Sequence, residues 1–264
     1  MFYHQRNGMQ GVFGKWRILS VVLFIAFLIF WEIVAQRAFQ ANPEHSIPPP
    51  SVVFYKFLEL CESGILFQAI IDSLWRFFAG LCIGGILGSV LGLLLGRLHP
   101  LEILLEPFIQ LFRPISPIAW LPIIVLWLGI GNPGAIFIIG YAVFFPTLAL
   151  SIAGVRSIDP TLLAMAKNFG ASEWQITKGI VLPGAFVHIA SGLKLAASVA
   201  WIQLVAAEML GIQSGLGYLV ADGRNLLETD MVIVAMIWIG LLGYCLHLLF
   251  TGIENLSLKA LGVK

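Results

Sequence analysis

Five stretches of the chain are apolar over roughly the 20 residues that a bilayer demands, and a sixth is shorter. They run over 18–35, 74–96, 115–130, 135–155, 185–210 and 231–253, and polar segments of moderate length separate them. The pattern predicts an all-α polytopic membrane protein with about six transmembrane helices. The first run follows Arg6, Lys15 and Arg17 and is interrupted by Glu32. Its core is too long for a cleaved signal and no A-x-A site follows, so it is read as a retained anchor. The second carries Arg76 near its start, where the side chain is expected to snorkel to the headgroups. Gly80, Gly84, Gly88, Gly92 and Gly96 recur at every fourth position, placing small residues along one helical face where another helix can approach. The third run contains Pro117 and Pro122 and ends in Gly131-Asn132-Pro133-Gly134, which predicts a kinked, shallow or tilted span. The fourth and sixth runs contain no Asp, Glu, Lys or Arg; the fifth contains Lys194 and Glu208.

The connections carry their own signals. In the segment 36–73, Ile47-Pro48-Pro49-Pro50-Ser51 favours an extended stretch, and Ser51 is placed to cap a helix from Val52 to Cys61. Over 98–112, Leu101, Leu104, Leu105, Phe108 and Phe112 share one helical face and Glu102 and Glu106 another, which predicts a helix lying along the interface. The loop 156–182 is the most informative. Asp159-Pro160 opens a helix with an N-cap acceptor and a residue that has no N–H to waste; Gly170 stops it. Ser172 and Gln175 form a capping-box pattern that starts a second short helix, which Pro183-Gly184 is expected to close. Phe169 and Trp174 flank the elbow. Either they form a docking surface or they anchor the loop in the interface.

Composition sharpens this picture. Of 264 residues, 59% are hydrophobic and 11% charged, against roughly 25% charged in soluble domains. A soluble enzyme is excluded, and a formal net charge of +1 offers no surface for nucleic acid. Placing the N-terminus in the cytoplasm puts Arg6, Lys15, Arg17, Arg97, Arg113, Arg156, Lys167, Lys178, Lys259 and Lys264 inside, against Arg37, Lys56 and Arg224 outside. That asymmetry predicts cytoplasmic termini. The domain plan is then one permease domain over 1–264: a cytoplasmic segment 1–17, the first span, an external segment 36–73, core spans over 74–253 interrupted by the cytoplasmic loop 156–182, and a cytoplasmic tail 254–264. Cys61, Cys82 and Cys245 suggest no disulfide framework, and His4, His45, His99, His188 and His247 show no H-E-x-x-H spacing, so no metal is expected. Asp72, Asp159, Asp222 and Asp230 lie at span ends or in loops, which leaves an intramembrane protease without its chemistry.

Ala164-Met165-Ala166-Lys167-Asn168-Phe169-Gly170, followed by Ile180-Val181-Leu182-Pro183, resembles the EAA signature of binding-protein-dependent ABC importer permeases. The spacing from Gly170 to Ile180, Leu182 and Pro183 is kept, while Ala164 stands where the signature has its first Glu. Pro48-Pro49-Pro50-Ser51, the run Arg113-Pro114-Ile115-Ser116-Pro117-Ile118-Ala119-Trp120-Leu121-Pro122, Leu126-Trp127-Leu128-Gly129-Ile130-Gly131, and Trp201 through Ala206-Ala207-Glu208-Met209 resemble the nitrate, bicarbonate, taurine and aliphatic sulfonate branch. The resemblance implies a homodimeric permease in the bacterial inner membrane with two separate ATPase subunits, which bind ATP and magnesium, and an external solute-binding protein. No phosphate-binding G-x-x-x-x-G-K-[ST] occurs in this chain, which is expected to hold no cofactor. The resemblance assigns ATPase coupling to Ala164, Ala166, Lys167, Phe169, Gly170, Ala171, Ser172, Glu173, Trp174, Leu182 and Pro183. Candidates for the translocation pathway are Arg113, whose fork suits an oxyanion and which serves equally as a positive-inside anchor, Trp120, one of Trp201 and Gln203, and Glu208, for gating or structure. Lys194, a charge within a span, either snorkels inward, the expected reading, or faces the solute. The rival reading is an ion-coupled secondary transporter, which would need buried acids or repeats that are not evident.

Overall fold

The computed structural model describes residues 5–41 and 46–260, and these residues form eleven α-helices and no strand. His4, His45, Lys264 and the last four residues of the expected tail lie outside the described residues. The helices are α1 (Gln5–Ala41), α2 (Pro50–Glu62), α3 (Ile65–Arg97), α4 (His99–Phe112), α5 (Leu121–Leu128), α6 (Asn132–Arg156), α7 (Pro160–Asn168), α8 (Glu173–Ile176), α9 (Leu182–Gly211), α10 (Leu216–Asn225) and α11 (Thr229–Ala260). Five are long and apolar enough to cross a membrane, or six when a bent pair is counted as one span.

One unit comprises α1, α2 and residues 222–234. Here Glu32, which interrupts the first apolar run, has a structural use. Its carboxylate accepts from the Ser51 backbone N–H at 3.1 Å and the Ser51 hydroxyl at 2.8 Å. α2 begins one residue earlier than expected, at Pro50, so Ser51 lies inside the first turn as a donor and does not act as its cap. The cap is an anion supplied by α1, placed where the exposed N–H groups and the helix dipole favour one. Lys56 on α2 bridges Glu59 at 3.2 Å and Glu228 at 3.0 Å. Burial works against its ammonium, yet the two carboxylates outweigh it and raise the pKa above the ordinary value.

The other unit, 65–221 and 235 onward, is built around α3, α6 and α9. The glycine stripe of α3 is spent on α6. A Cβ on Gly80 would meet the Ile139 side chain, one on Gly84 the Gly140 carbonyl, one on Gly92 Ser151 and one on Gly96 Val155. Gly192 brings α9 against Leu150 of α6 a little less closely, at 3.1 Å from a Cβ built there. Ile138, Val143 and Leu148 of α6 and Ala196, Ala200 and Leu204 of α9 are buried between the three helices. In a lipid setting this close approach replaces the hydrophobic drive as the source of cohesion.

The third predicted span is a bent pair. α4 and residues 117–128 meet at 83°, and α5 alone has 8 residues, far short of the roughly 20 that a span needs. Pro114, Pro117 and Pro122 explain the break, since none offers an N–H to a preceding turn. Trp120 braces the corner between Phe112 and Tyr141, at ring separations of 6.2 and 5.9 Å, and the Tyr141 hydroxyl donates to the Phe112 carbonyl. The amphipathic helix expected over 98–112 is present as α4, with Glu102 paired to Arg156 at the end of α6.

Candidate functional site

The loop after α6 folds as its residues dictate. The Asp159 carboxylate accepts from Thr161 N–H at 2.8 Å and caps α7; that hydrogen bond holds its pKa below the usual carboxylate range. At the other end of α7, Gly170 N–H donates to the Lys167 carbonyl and Ala171 N–H to the Ala166 carbonyl, a Schellman closure that needs a left-handed residue. Gly170 supplies it with φ +79°. Ser172 and Gln175 then exchange both bonds of the capping box, at 2.8 and 3.3 Å. The expected stop at Pro183-Gly184 is absent. α8 is a single turn that passes through a π turn over Thr177–Val181 into α9, with Pro183 in its first turn. The wider turn accommodates a proline that has no N–H for the carbonyl four residues back.

The loop has two faces. Ile176 and Val181 are buried against Val155, Ala185 and Ile189, with Ala166 and Ala171 packed at the margin. On the other face Phe169 is 86% exposed and Trp174 72%. Ala164, Ser172 and Leu182 are also exposed, and Pro183 is half-buried. Glu173 joins three elements: its carboxylate pairs with Lys167 of α7 at 2.8 Å and with Arg97 at the end of α3, and Arg97 also reaches the Thr177 hydroxyl. The two aromatics thus stand on a loop tied down from beneath and from the side.

At the opposite ends of α3 and α9 lies a buried polar cluster. The Arg76 and Glu208 side chains are 2% and 0% exposed, and Arg76 Nη1 donates to Glu208 Oε1 at 2.6 Å. Arg76 therefore does not snorkel. Its Nε donates to Asn132 Oδ1 at 2.7 Å, two further N–H groups donate to the carbonyl and hydroxyl of Ser214, and Asp72 Oδ2 lies 3.9 Å from Nη2. Glu208 also accepts from the Ser73 hydroxyl at 2.9 Å and from Gly217 N–H at 3.0 Å. Gly215, at φ +102°, passes so close that a Cβ would strike the carboxylate. Four of the five guanidinium N–H groups and both carboxylate oxygens are hydrogen-bonded, the condition under which a buried pair is tolerated.

Comparison with known proteins decides what carries this architecture. Residues 84–259 match the family described as binding-protein-dependent transport system inner membrane component. The chain belongs to that family. It is 32% identical over 246 residues to the taurine transport system permease protein TauC of Escherichia coli, covering 89% of each chain. The putative aliphatic sulfonates transport permease protein SsuC of Escherichia coli is 33% identical over 231 residues, at 87% of each. The bicarbonate transport system permease protein CmpB of Synechococcus elongatus is 31% identical over 263 residues, at 92% of each. The fold is similar to a chain of a bacterial ABC transporter involved in the import of the acidic polysaccharide alginate, with TM-score 0.65, 18% identity and coverage of 96% of this chain and 98% of that one. This is a multi-pass inner-membrane permease subunit of an ABC importer; it is not an enzyme, and the ATPase is a separate subunit.

Within this permease the pathway candidates do not form one cluster. Arg113 is exposed at the end of α4, and Trp120 lies at the corner between α4 and α5. Trp201 is 7% exposed, lies edge-on to Phe77 at 5.6 Å, and donates its indole N–H to the Ile239 carbonyl at 3.1 Å. Gln203 is half-buried two residues on. Lys194 pairs with Glu254 at 2.8 Å, and Ser191 donates to the same carboxylate. What the sequence reading missed is the Arg76–Glu208 partnership. The signal was available, since the two charges fall at the same end of their respective spans with opposite sign.

Replacing Gly170 by valine should cost about 1–2 kcal/mol, the penalty of a left-handed β-branched residue. No atom lies within 4 Å of its Cβ position, so the effect is conformational rather than a clash. Assembly with the ATPase subunits should survive while transport per ATP hydrolysed falls. A variant with the normal ratio would show that the left-handed turn at Gly170 plays no part in coupling.

Proposed function

We propose that two copies of this permease, each a single domain over residues 1–264, form the channel of an importer that takes a small oxyanion from an external solute-binding protein. TauC, SsuC and CmpB support the solute class, since taurine, alkylsulfonates and bicarbonate all present a compact oxygen-rich anionic head. Both termini lie in the cytoplasm, in accord with the distribution of Lys and Arg.

The observation that carries the coupling reading is the exposure of Phe169 and Trp174 on a loop whose reverse face is packed and ion-paired. Two separate ATPase subunits, holding ATP and magnesium, receive this loop. Gly170, Ala171 and Ser172 form its tip; Ala164, Lys167, Phe169, Glu173, Trp174 and Leu182 flank the contact; Ala166 and Pro183 hold it against the bundle. Closure of the ATPase pair then tilts α9 and reopens the pathway on the other side of the membrane. Arg113, Trp120 and Gln203 are assigned to the pathway, and Glu208 holds its outer end together.

The test is uptake into vesicles containing the permease, its ATPase subunits and its binding protein, with labelled taurine, ethanesulfonate, bicarbonate, nitrate and a neutral sugar as solutes. ATP-dependent accumulation of one of the anions is expected. Accumulation without the ATPase subunits, or of the sugar in preference to every anion, would overturn the proposal.

A further inference from the structure

Basic side chains within the membrane-spanning helices are the natural partners for an anion in transit, and Arg76 is disqualified because it is buried, four of its five N–H groups go to Glu208, Asn132 and Ser214, and the Asp72 carboxylate lies 3.9 Å away. The large cavity between α3, α4 and α6, about 700 Å³, carries no charge, and the Tyr141 hydroxyl at its edge is committed to Phe112. Lys194 is different. It lines a cleft between α9 and α11 of about 190 Å³, walled by Trp201, Gly243 and Phe250 and edged by Ser198 and His247. This is far more than the roughly 10–15 Å³ that admits a water and less than the roughly 300–1,000 Å³ of a drug-sized pocket, so the occupant is a small molecule or ion.

We propose that this cleft binds the head of one small oxyanion, held by the Lys194 ammonium, the Ser198 hydroxyl and a ring N–H of His247. The proposal rests on the oxyanion reading above and names its site. Residues 194–201 lie about the middle of α9 (Leu182–Gly211), and 243–250 just past the middle of α11 (Thr229–Ala260), the depth at which an ionisable side chain marks a transport route. The ammonium offers three donors and spends one on Glu254 at 2.8 Å. The Ser198 hydroxyl makes only a long 3.4 Å contact with the Lys194 carbonyl. The Trp201 indole N–H is occupied by Ile239, so the ring acts as a wall; a Cβ on Gly243 would lie 2.9 Å from that nitrogen, so glycine is what lets α11 approach it. Glu254 pairs with the ammonium while the cleft is empty and repels the incoming anion. That opposition makes the site weak, as a transit site must be if the ion is to leave again.

The alternative is that Lys194 and Glu254 are only a structural ion pair between two helices. Two variants separate these readings. Lys194→Gln removes the charge and leaves Glu254 without its partner; Lys194→Gln/Glu254→Gln replaces the pair by two amides that can hydrogen-bond to each other. Both are purified in the complete complex, confirmed by co-elution with the ATPase subunits, and assayed for uptake of the anion that the wild-type complex accumulates. For a binding site, both variants raise KM about tenfold or more through loss of a charged hydrogen bond, while Lys194→Arg stays closer to wild type. Recovery of wild-type KM in the double variant, or no change in the single one, overturns the site. A wild-type complex that accumulates none of the tested anions overturns the oxyanion reading itself, a result distinct from either.

Discussion

Substitution of Arg76 by methionine should destabilise the permease by about 3–5 kcal/mol, because it leaves the Glu208 carboxylate buried with no opposite charge. At the few degrees per kcal/mol typical of chains this size, thermal unfolding in detergent should fall by on the order of 10 °C. The Glu208 side chain is 0% exposed, so water cannot substitute for the guanidinium. Ser73 and Gly217 would still donate to the carboxylate, but neither carries charge. Adding Glu208→Leu should restore much of the loss, since an apolar pair of similar volume avoids the desolvation cost altogether. Recovery should be incomplete: Asn132 and Ser214 would lose their donor. A single Arg76→Met variant as stable as wild type would mean that the cluster contributes nothing to holding α3, α6 and α9 together.

How far the sequence predicted the structure depends on the range of each interaction. The helix–elbow–helix loop was legible because its determinants are local. Asp159, Gly170 and the Ser172–Gln175 box each act within three residues, and each behaves as its chemistry requires. Pro183-Gly184 misled because a proline in a first turn reads equally as a start, and a π turn can carry the chain through. The glycine stripe announced a close helix contact but not its partner, which is set by the tertiary arrangement that aligns α3 with α6. Arg76 and Glu208 are 132 residues apart. Each alone looks like a snorkelling or isolated charge; their opposite signs at the same end of two spans hint at a pair, and the fold shows that they are one feature. Glu32 is a similar case, an apparent flaw in an apolar run that caps a different helix.

Gly84 offers the most direct test of that central contact. A side chain there should cost about 3 kcal/mol, the upper end of the usual overpacking range. The obstacle is not a rotatable side chain. Built on the existing backbone, a Cβ at Gly84 would run into the carbonyl, and lie 2.9 Å from the Cα, of Gly140 on α6. Backbone cannot turn aside, so α3 and α6 must separate along their length, and Gly80, Gly88 and Gly92 would lose their close contacts too. Gly84→Leu should therefore reduce the yield of folded permease sharply, read as the fraction eluting with the ATPase subunits. Gly240→Leu is the control: it is also a glycine within an apolar helix, but no atom lies within 4 Å of its Cβ position. If both variants behave alike, leucine at a helical glycine is harmful for some general reason and α3–α6 packing is not the cause. If only Gly84→Leu fails, the spacing of glycines in α3 is what sets the distance between the two helices at the centre of the permease.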